Sequence, residues 1–224
     1  FYDDNKDVHQ YGSVTGRSTT LALVKLFHVL FDAADDNNNI IRILFVDFSR
    51  AFDLINHNVI KRKLEENKSP AVLSNWLLSF LNNRTQFVKI GDRISKCVAV
   101  NAGAPQGTRA GPNCFKLLIS DLTFSIPYVK YVDDVSLLSI SHGFSDDNLQ
   151  QALCYLQSWC NLNGMQLNTK KTKEMILKFS KRVRTDLCTP LVYDCAVIDR
   201  VEEFKILGIM VSSDLTWSRH VDYI

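Results

Sequence analysis

The chain has 224 residues, 46% of them hydrophobic and 10% aromatic, which excludes global disorder and allows one large core. A formal net charge of +2 neither requires nor excludes a nucleic-acid partner, because a basic groove can sit on an otherwise acidic surface. No apolar stretch is long enough to span a bilayer, and six cysteines without a C-x-x-C pair argue against zinc and for free thiols in a reducing compartment.

Ser18 can cap a helix through about Ala34, with Leu21, Val24, Phe27, Leu30 and Phe31 on one face. Asp35 to Asn39 is a turn, and Ile40 to Val46 is an apolar strand that ends at Asp47. Ile55 through Asn67 reads as an amphipathic helix, and Pro70 opens another through about Leu81. Gln86 to Ile90 and Lys96 to Val100 form a hairpin turning at Gly91-Asp92. A loop at Gly103 to Gly107 leads to a helix opened by Pro112 and running through Ser125, with Phe115, Leu118, Ile119 and Leu122 inward. Two strands, Ile126 to Val132 and Val135 to Ile140, flank Asp133-Asp134. Asp146 or Asp147 caps a helix through about Leu162. Glu174 to Phe179 is a strand, Pro190 to Val201 a weak hairpin, and Phe204 to Val211 a last strand. This order predicts an α+β fold: an antiparallel sheet of the ferredoxin-like split β-α-β kind with helices on one face. Starting at Phe1 and stopping at Ile224 just after an apparent motif, the chain is expected to be part of something longer.

The chemistry concentrates in carboxylates at strand ends. Asp133 and Asp134 are adjacent on a predicted hairpin turn, and such a pair repels itself unless a cation is shared. Asp47 closes another strand. If the two ends meet, three carboxylates converge, a site for hard divalent ions and phosphoryl transfer. Taken singly, Asp133-Asp134 is equally a solvent-facing turn and Asp47 an N-cap. Lys170, Lys171, Lys173, Lys178, Lys181, Arg182 and Arg184 cluster, by default as a solvated face. His57 and His220 read as surface residues.

The surrounding words carry a resemblance. Phe45 to Asp53 is similar to motif A of reverse transcriptases, Ala104 to Pro112 to motif B, and Tyr131-Val132-Asp133-Asp134 to the Y-x-D-D box of motif C. Leu167 to Met175 resembles motif D, Phe204 to Ile209 the primer grip of motif E, and Gln10-Tyr11-Gly12 with Gly16 to Thr20 a fingers motif. Each alone is weak; six in order, with the tail at Ser213 to Val221, resemble the enzymes of non-LTR (LINE-type) retrotransposons. Three departures stand out: Ser13-Val14-Thr15 in the fingers motif, Ala110 in motif B, and Val135-Ser136 after the acids.

The resemblance implies a right-hand polymerase palm with partial fingers. Residues from about 1–40 and 54–103 would be fingers and palm elements, about 41–53 and 104–212 palm, and 213–224 the start of a thumb connection. It implies an RNA-directed DNA polymerase, acting by two-metal nucleotidyl transfer on an RNA template, a DNA primer and dNTPs. Asp47, Asp133 and Asp134 would be catalytic and hold two Mg²⁺, with Mn²⁺ as a substitute. Phe52 would be the steric gate against a ribose 2′-OH, and Gln106, Gly107 and Arg17 would face the nucleotide. One of Lys170, Lys171 and Lys173 would be the general acid toward pyrophosphate, and Leu207-Gly208 would shape the primer grip. Binding would run mostly through phosphates and weaken with salt. The implied setting is intracellular, nuclear at the point of action, with no membrane partner. Two other readings stay open: a truncated relic that binds nucleic acid without catalysis, and an RNA-dependent RNA polymerase palm, against which Phe52 speaks.

Overall fold

A computed structural model describes residues 7–36, 39–142, 148–177 and 188–224. The basic residues Lys178, Lys181, Arg182 and Arg184 and the proposed caps Asp146 and Asp147 lie outside that set.

The chain runs α1 (Thr19–Ala34), β1 (Asn39–Val46), α2 (His57–Glu66), α3 (Ala71–Leu81), β2 (Arg84–Gln86), β3 (Lys89–Ile90), β4 (Arg93–Ile94), β5 (Val98–Val100) and α4 (Ala110–Leu118). It continues with β6 (Tyr128–Tyr131), β7 (Asp134–His142), α5 (Asn148–Asn163), β8 (Lys173–Ile176), β9 (Val192–Tyr193), β10 (Ala196–Val197), β11 (Glu203–Ile206), β12 (Ile209–Ser212) and α6 (Ser218–Tyr223). The central sheet is antiparallel, in the order β6-β7-β1-β8. Taken as four strands in chain order this is 2-3-1-4, the strand order of a ferredoxin-like β-α-β-β-α-β unit. β1 and β7 pair from Asn39↔His142 to Val46↔Val135.

The alternation of a strand decides what packs where. Leu44 and Val46 of β1 face a core built with α2, α4 and α5, around Ile60, Phe115, Leu153 and Trp159. Ile41, Ile43 and Phe45 face the opposite side and meet α1 and the β11–β12 hairpin. The expectation of helices on one face is therefore corrected: α1 covers the other.

The start of α1 is as expected, with Ser18 Oγ accepting from the Leu21 N–H. Its buried stripe is not. Ala22, Leu23, Leu26, Leu30 and Ala33 face the sheet, while Leu21, Val24 and Phe31 are exposed. The two alanines let the helix lie close to the strands. The three buried leucines contribute about 1.5–3 kcal/mol each.

Three more boundaries differ. α4 ends at Leu118, although Ile119 and Leu122 stay fully buried beyond it. The expected hairpin at Gly91-Asp92 is two nested pairs, β3–β4 inside β2–β5. The expected last strand is a hairpin, β11–β12, turning at Leu207-Gly208 with φ of 46° and 89°.

Segment 9–11 runs along the free edge of β6. The Lys130 N–H donates to His9 O, and the Tyr11 N–H donates to Lys130 O, each at 2.8 Å. Lys130 itself is fully buried. Its ammonium pairs with Asp7 at 2.5 Å and donates to the carbonyls of Ile119 and Leu122. Burial pushes its pKa down, and Asp7 opposes that shift.

Candidate active site

The last rung between β1 and β7 is Val46↔Val135. Asp47 follows one partner and Asp134 precedes the other, so both stand at the same end of the sheet. Asp133 lies in the two-residue turn between β6 and β7, since Tyr131 pairs with Asp134. Asp47 and Asp134 line one cavity of about 150 Å³, walled on its far side by Phe204, Lys205, Ile206 and Leu207.

Asp47 is held from the β8 side. Its N–H donates to Thr172 Oγ1 at 3.1 Å, and its carbonyl accepts from the Asn168 N–H at 2.8 Å. Ser49 N–H donates to Gln166 O, and Phe48 bridges Leu167. The loop before β8 thus continues the sheet past the end of β1 and fixes the strand end that bears the acid.

The three carboxylates lie in one another's field. Burial raises the pKa of Asp133, its own backbone N–H lowers it, and the charge of Asp47 raises it further. Crowding by protein lifts Asp134 to about 6, although its surface is open to solvent; Asp133 and then Asp47 add to the rise. A cation stands near: Lys171 Nζ is 3.9 Å from Asp47 Oδ2. Among the described residues no three His, Cys, Asp or Glu side chains already stand as a metal cage. The donor set nevertheless suits hard divalent ions: hard oxygens on two adjoining strand ends, with negative charge that one lysine does not balance. Closing them about an ion takes side-chain rotation.

Phe52 and the loop after β5 come together. The Phe52 ring is 5.3 Å from Phe115, and the Phe52 carbonyl accepts from the Ala104 N–H at 2.9 Å. Gln106 Nε2 donates to Asp53 Oδ1 at 3.2 Å. Gly103 has φ of 82°, and a Cβ there would sit 2.9 Å from the Asp53 carbonyl, so that close approach requires glycine. Gly107, at φ of 75°, has open space around it. His57 departs from the expected surface position: it is buried, and its Nε2 is 2.9 Å from Gly103 O, bracing the same loop.

Arg17 has structural work in the N-terminal loop. Its Nη1 donates to the carbonyls of Asp7 and Gln10, and the guanidinium lies 5.4 Å from the centre of the Tyr11 ring. The three lysines separate clearly. Lys173 is paired with Asp199 at 2.6 Å, Lys170 is exposed, and Lys171 faces Asp47. Leu207 reaches the cavity beside Asp47, and Gly208 is the second residue of its turn. Sequence reasoning missed Lys130, which it absorbed into an apolar run, and the supports of the strand ends: Thr172, Asn168 and Gln10. The signal for Lys130 was a lone cation inside an otherwise apolar strand.

Comparison with known proteins gives the family. Residues 4–211 match the family model described as reverse transcriptase (RNA-dependent DNA polymerase). The chain is 27% identical over 225 residues to a probable RNA-directed DNA polymerase from transposon BS of Drosophila melanogaster, covering 95% of this chain and 24% of that protein. It is 28% identical over 192 residues to the RNA-directed DNA polymerase from mobile element jockey of the same fly, covering 80% of this chain and 20% of that protein. The chain thus spans about a quarter or less of these relatives. Its fold is also similar to telomerase from Candida tropicalis in complex with a fragment of telomeric RNA, with a TM-score of 0.64 at 11% identity, covering 97% of this chain and 35% of that one. With motifs in order, acids at one sheet end and a family match across nearly its whole length, the chain belongs to the reverse transcriptase (RNA-dependent DNA polymerase) family and groups with the non-LTR retrotransposon enzymes.

Proposed function

We propose that this chain is the polymerising part of an RNA-directed DNA polymerase, adding deoxynucleotides to a DNA primer along an RNA template. The observation that carries this reading is the meeting of Asp47 with Asp133 and Asp134 at one end of the β1–β7 ladder. In this reading the sheet and the helices α4 and α5 are the palm, the segments before β1 and from α2 to β5 are fingers and palm elements, and residues 213–224 begin a thumb connection. Its setting would be intracellular, in the nucleus at the point of action and in the cytoplasm otherwise.

Asp47, Asp133 and Asp134 would hold two Mg²⁺ ions, which would lower the pKa of the primer hydroxyl and take up charge on the leaving pyrophosphate. The chain's own part is positioning and electrostatics. The Asp133–Asp134 turn and the Asp47 strand end set the direction of the carboxylates. Lys171 is the best-placed of the three lysines to donate a proton toward pyrophosphate, because it already faces Asp47. Phe52 would close the sugar side of the nucleotide site, with Gln106 and Gly107 beside it, and Arg17 would reach phosphate from the fingers side. Leu207-Gly208 would seat the primer end across the cavity from the acids.

The test is primer extension with purified protein on an RNA template with Mg²⁺. Extension that disappears on metal removal supports the reading; a folded, thumb-containing protein that never extends a primer would overturn it. Within that assay, Lys171→Ala should slow extension by about a hundredfold or more, and Lys170→Ala far less. Equal effects of the two would remove Lys171 from the role. Phe52→Ala should raise the use of ribonucleotides relative to deoxynucleotides by about tenfold or more. Unchanged sugar selection would leave Phe52 as only a packing partner of Phe115.

A further inference from the structure

The turn that bears Asp133 and Asp134 is held against the preference of its own residues. β6 and β7 meet through the two-residue loop Val132-Asp133. Val132, at its first central position, has φ of 57°. Two-residue hairpins with positive φ at that position ordinarily place glycine there. A β-branched residue in the left-handed region is strained and persists only where its surroundings impose it.

Gln10 supplies what the turn lacks. It is 1% exposed, and its Oε1 accepts from the Val132 N–H at 2.8 Å and from the Gly12 N–H at 2.8 Å. Its own segment is laced to β6 by the Tyr11 and Lys130 bonds, so the clamp cannot drift from the strand it serves. Gly12 completes the fit. A Cβ there would fall 2.5 Å from both Val132 Cγ2 and Val132 N, so Val132 lies flat against bare main chain. Gln10 Nε2 is buried and has no hydrogen-bond partner among the described residues. What the buried amide supplies to the turn is its oxygen, which takes both main-chain N–H groups.

We propose that Gln10, with Gly12, is a positioning residue for the carboxylate turn: it fixes where Asp133 and Asp134 point, and so sets metal affinity and rate without touching nucleotide or ion. The effect on rate rests on the polymerase reading; the clamp itself does not. Residues that orient the ligands of a metal site typically change affinity or activity by about 10–100-fold when removed.

The experiment uses the full-length protein and three variants. Gln10→Met keeps volume and removes the acceptor. Gly12→Ala drives a methyl into Val132 while Gln10 stays. Gln10→Met with Val132→Gly gives the turn a residue at ease with positive φ. Three readouts are taken: kcat and KM for dNTP in primer extension, the midpoint of an Mn²⁺ titration at equilibrium, and hydrogen exchange of the Val132 amide. Expected are faster Val132 exchange in Gln10→Met, an Mn²⁺ midpoint raised by about tenfold or more, and kcat lowered by about 10–100-fold with KM for dNTP within about twofold. Gly12→Ala should lower kcat similarly, and the double variant should recover part of the Gln10→Met loss. Wild-type kcat in Gln10→Met despite lost amide protection would overturn the proposal, as would no recovery in the double variant. If wild-type protein fails to extend primers, the polymerase reading fails on its own. Exchange and Mn²⁺ binding still decide the clamp, and an unchanged pair of values in Gln10→Met would overturn it.

Discussion

Replacing Asp133 with asparagine is expected to lower primer extension by about a thousandfold or more and to raise the thermal midpoint of the metal-free protein. The first effect follows from removing a ligand whose ion supplies several kcal/mol to the transition state, at about 1.4 kcal/mol per tenfold. The second follows from the sign of the pKa shifts. Asp133 and Asp134 are both raised, Asp134 to about 6. A carboxylate raised in the folded state binds its proton more tightly there than in the unfolded chain. Stability therefore falls as pH rises from about 4 through 6, and the full penalty is present at neutral pH. Asparagine removes one charge from the repelling group and lifts that penalty. The gain should be seen by calorimetry at pH 7, shrink below pH 4, and vanish when Mg²⁺ is added, because only the wild-type site gains from the ion. Affinity for Mg²⁺ should fall as pH drops through about 6, because the proton and the ion compete for Asp134. A variant that melts lower than wild type without metal would contradict the charge repulsion described here.

Glu174→Ala is expected to cost about 3–5 kcal/mol of folding stability, measured by urea denaturation. Glu174 is fully buried on β8, between Arg42 Nε at 2.6 Å and Arg200 Nε at 2.8 Å. The Arg42 side chain is only 7% exposed, so removing the carboxylate strands a guanidinium out of water. Arg200 is about a third exposed and can turn outward. Replacing Arg42 and Glu174 together by methionine should cost much less, since no charge is then left behind in the core. A loss below about 1 kcal/mol for Glu174→Ala alone would show that the network is not carrying the β1–β8 edge.

The acids were legible in the sequence because each stands where an apolar run stops, and the ordering of the motifs named their partners. The antiparallel sheet followed from the same runs. What stayed hidden depended on the third dimension. In α1 both stripes are apolar, and nothing in a 3.6-residue period favours Ala22, Leu26 and Ala33 over Val24 and Phe31 for burial. Alanine wins because it permits close approach to the sheet, which is a property of the neighbour. The break at Leu207-Gly208 had a signal, a glycine inside a strand pattern, and the structure spends it on a turn. Gln10 gave no signal at all of its task. Its partner Val132 lies 122 positions away, and only the pairing of segment 9–11 with β6 brings them together. Arg17 shows the converse: a guanidinium suited to phosphate whose Nη1 donates to two carbonyls of its own loop.

The ladder between β1 and β7 has a kinetic corollary. Its first-formed rung cannot be local: Val46 and Val135 are 89 positions apart, and Asn39 and His142 are 103 apart. Closing such distances is entropically slow, so a refolding chain should recover helix signal in the far ultraviolet well before it recovers any affinity for divalent ions. Proteolytic pieces that end between the two strands should fail to regain that affinity however helical they become, because the ion site comes into being with the long-range pairing and not before it.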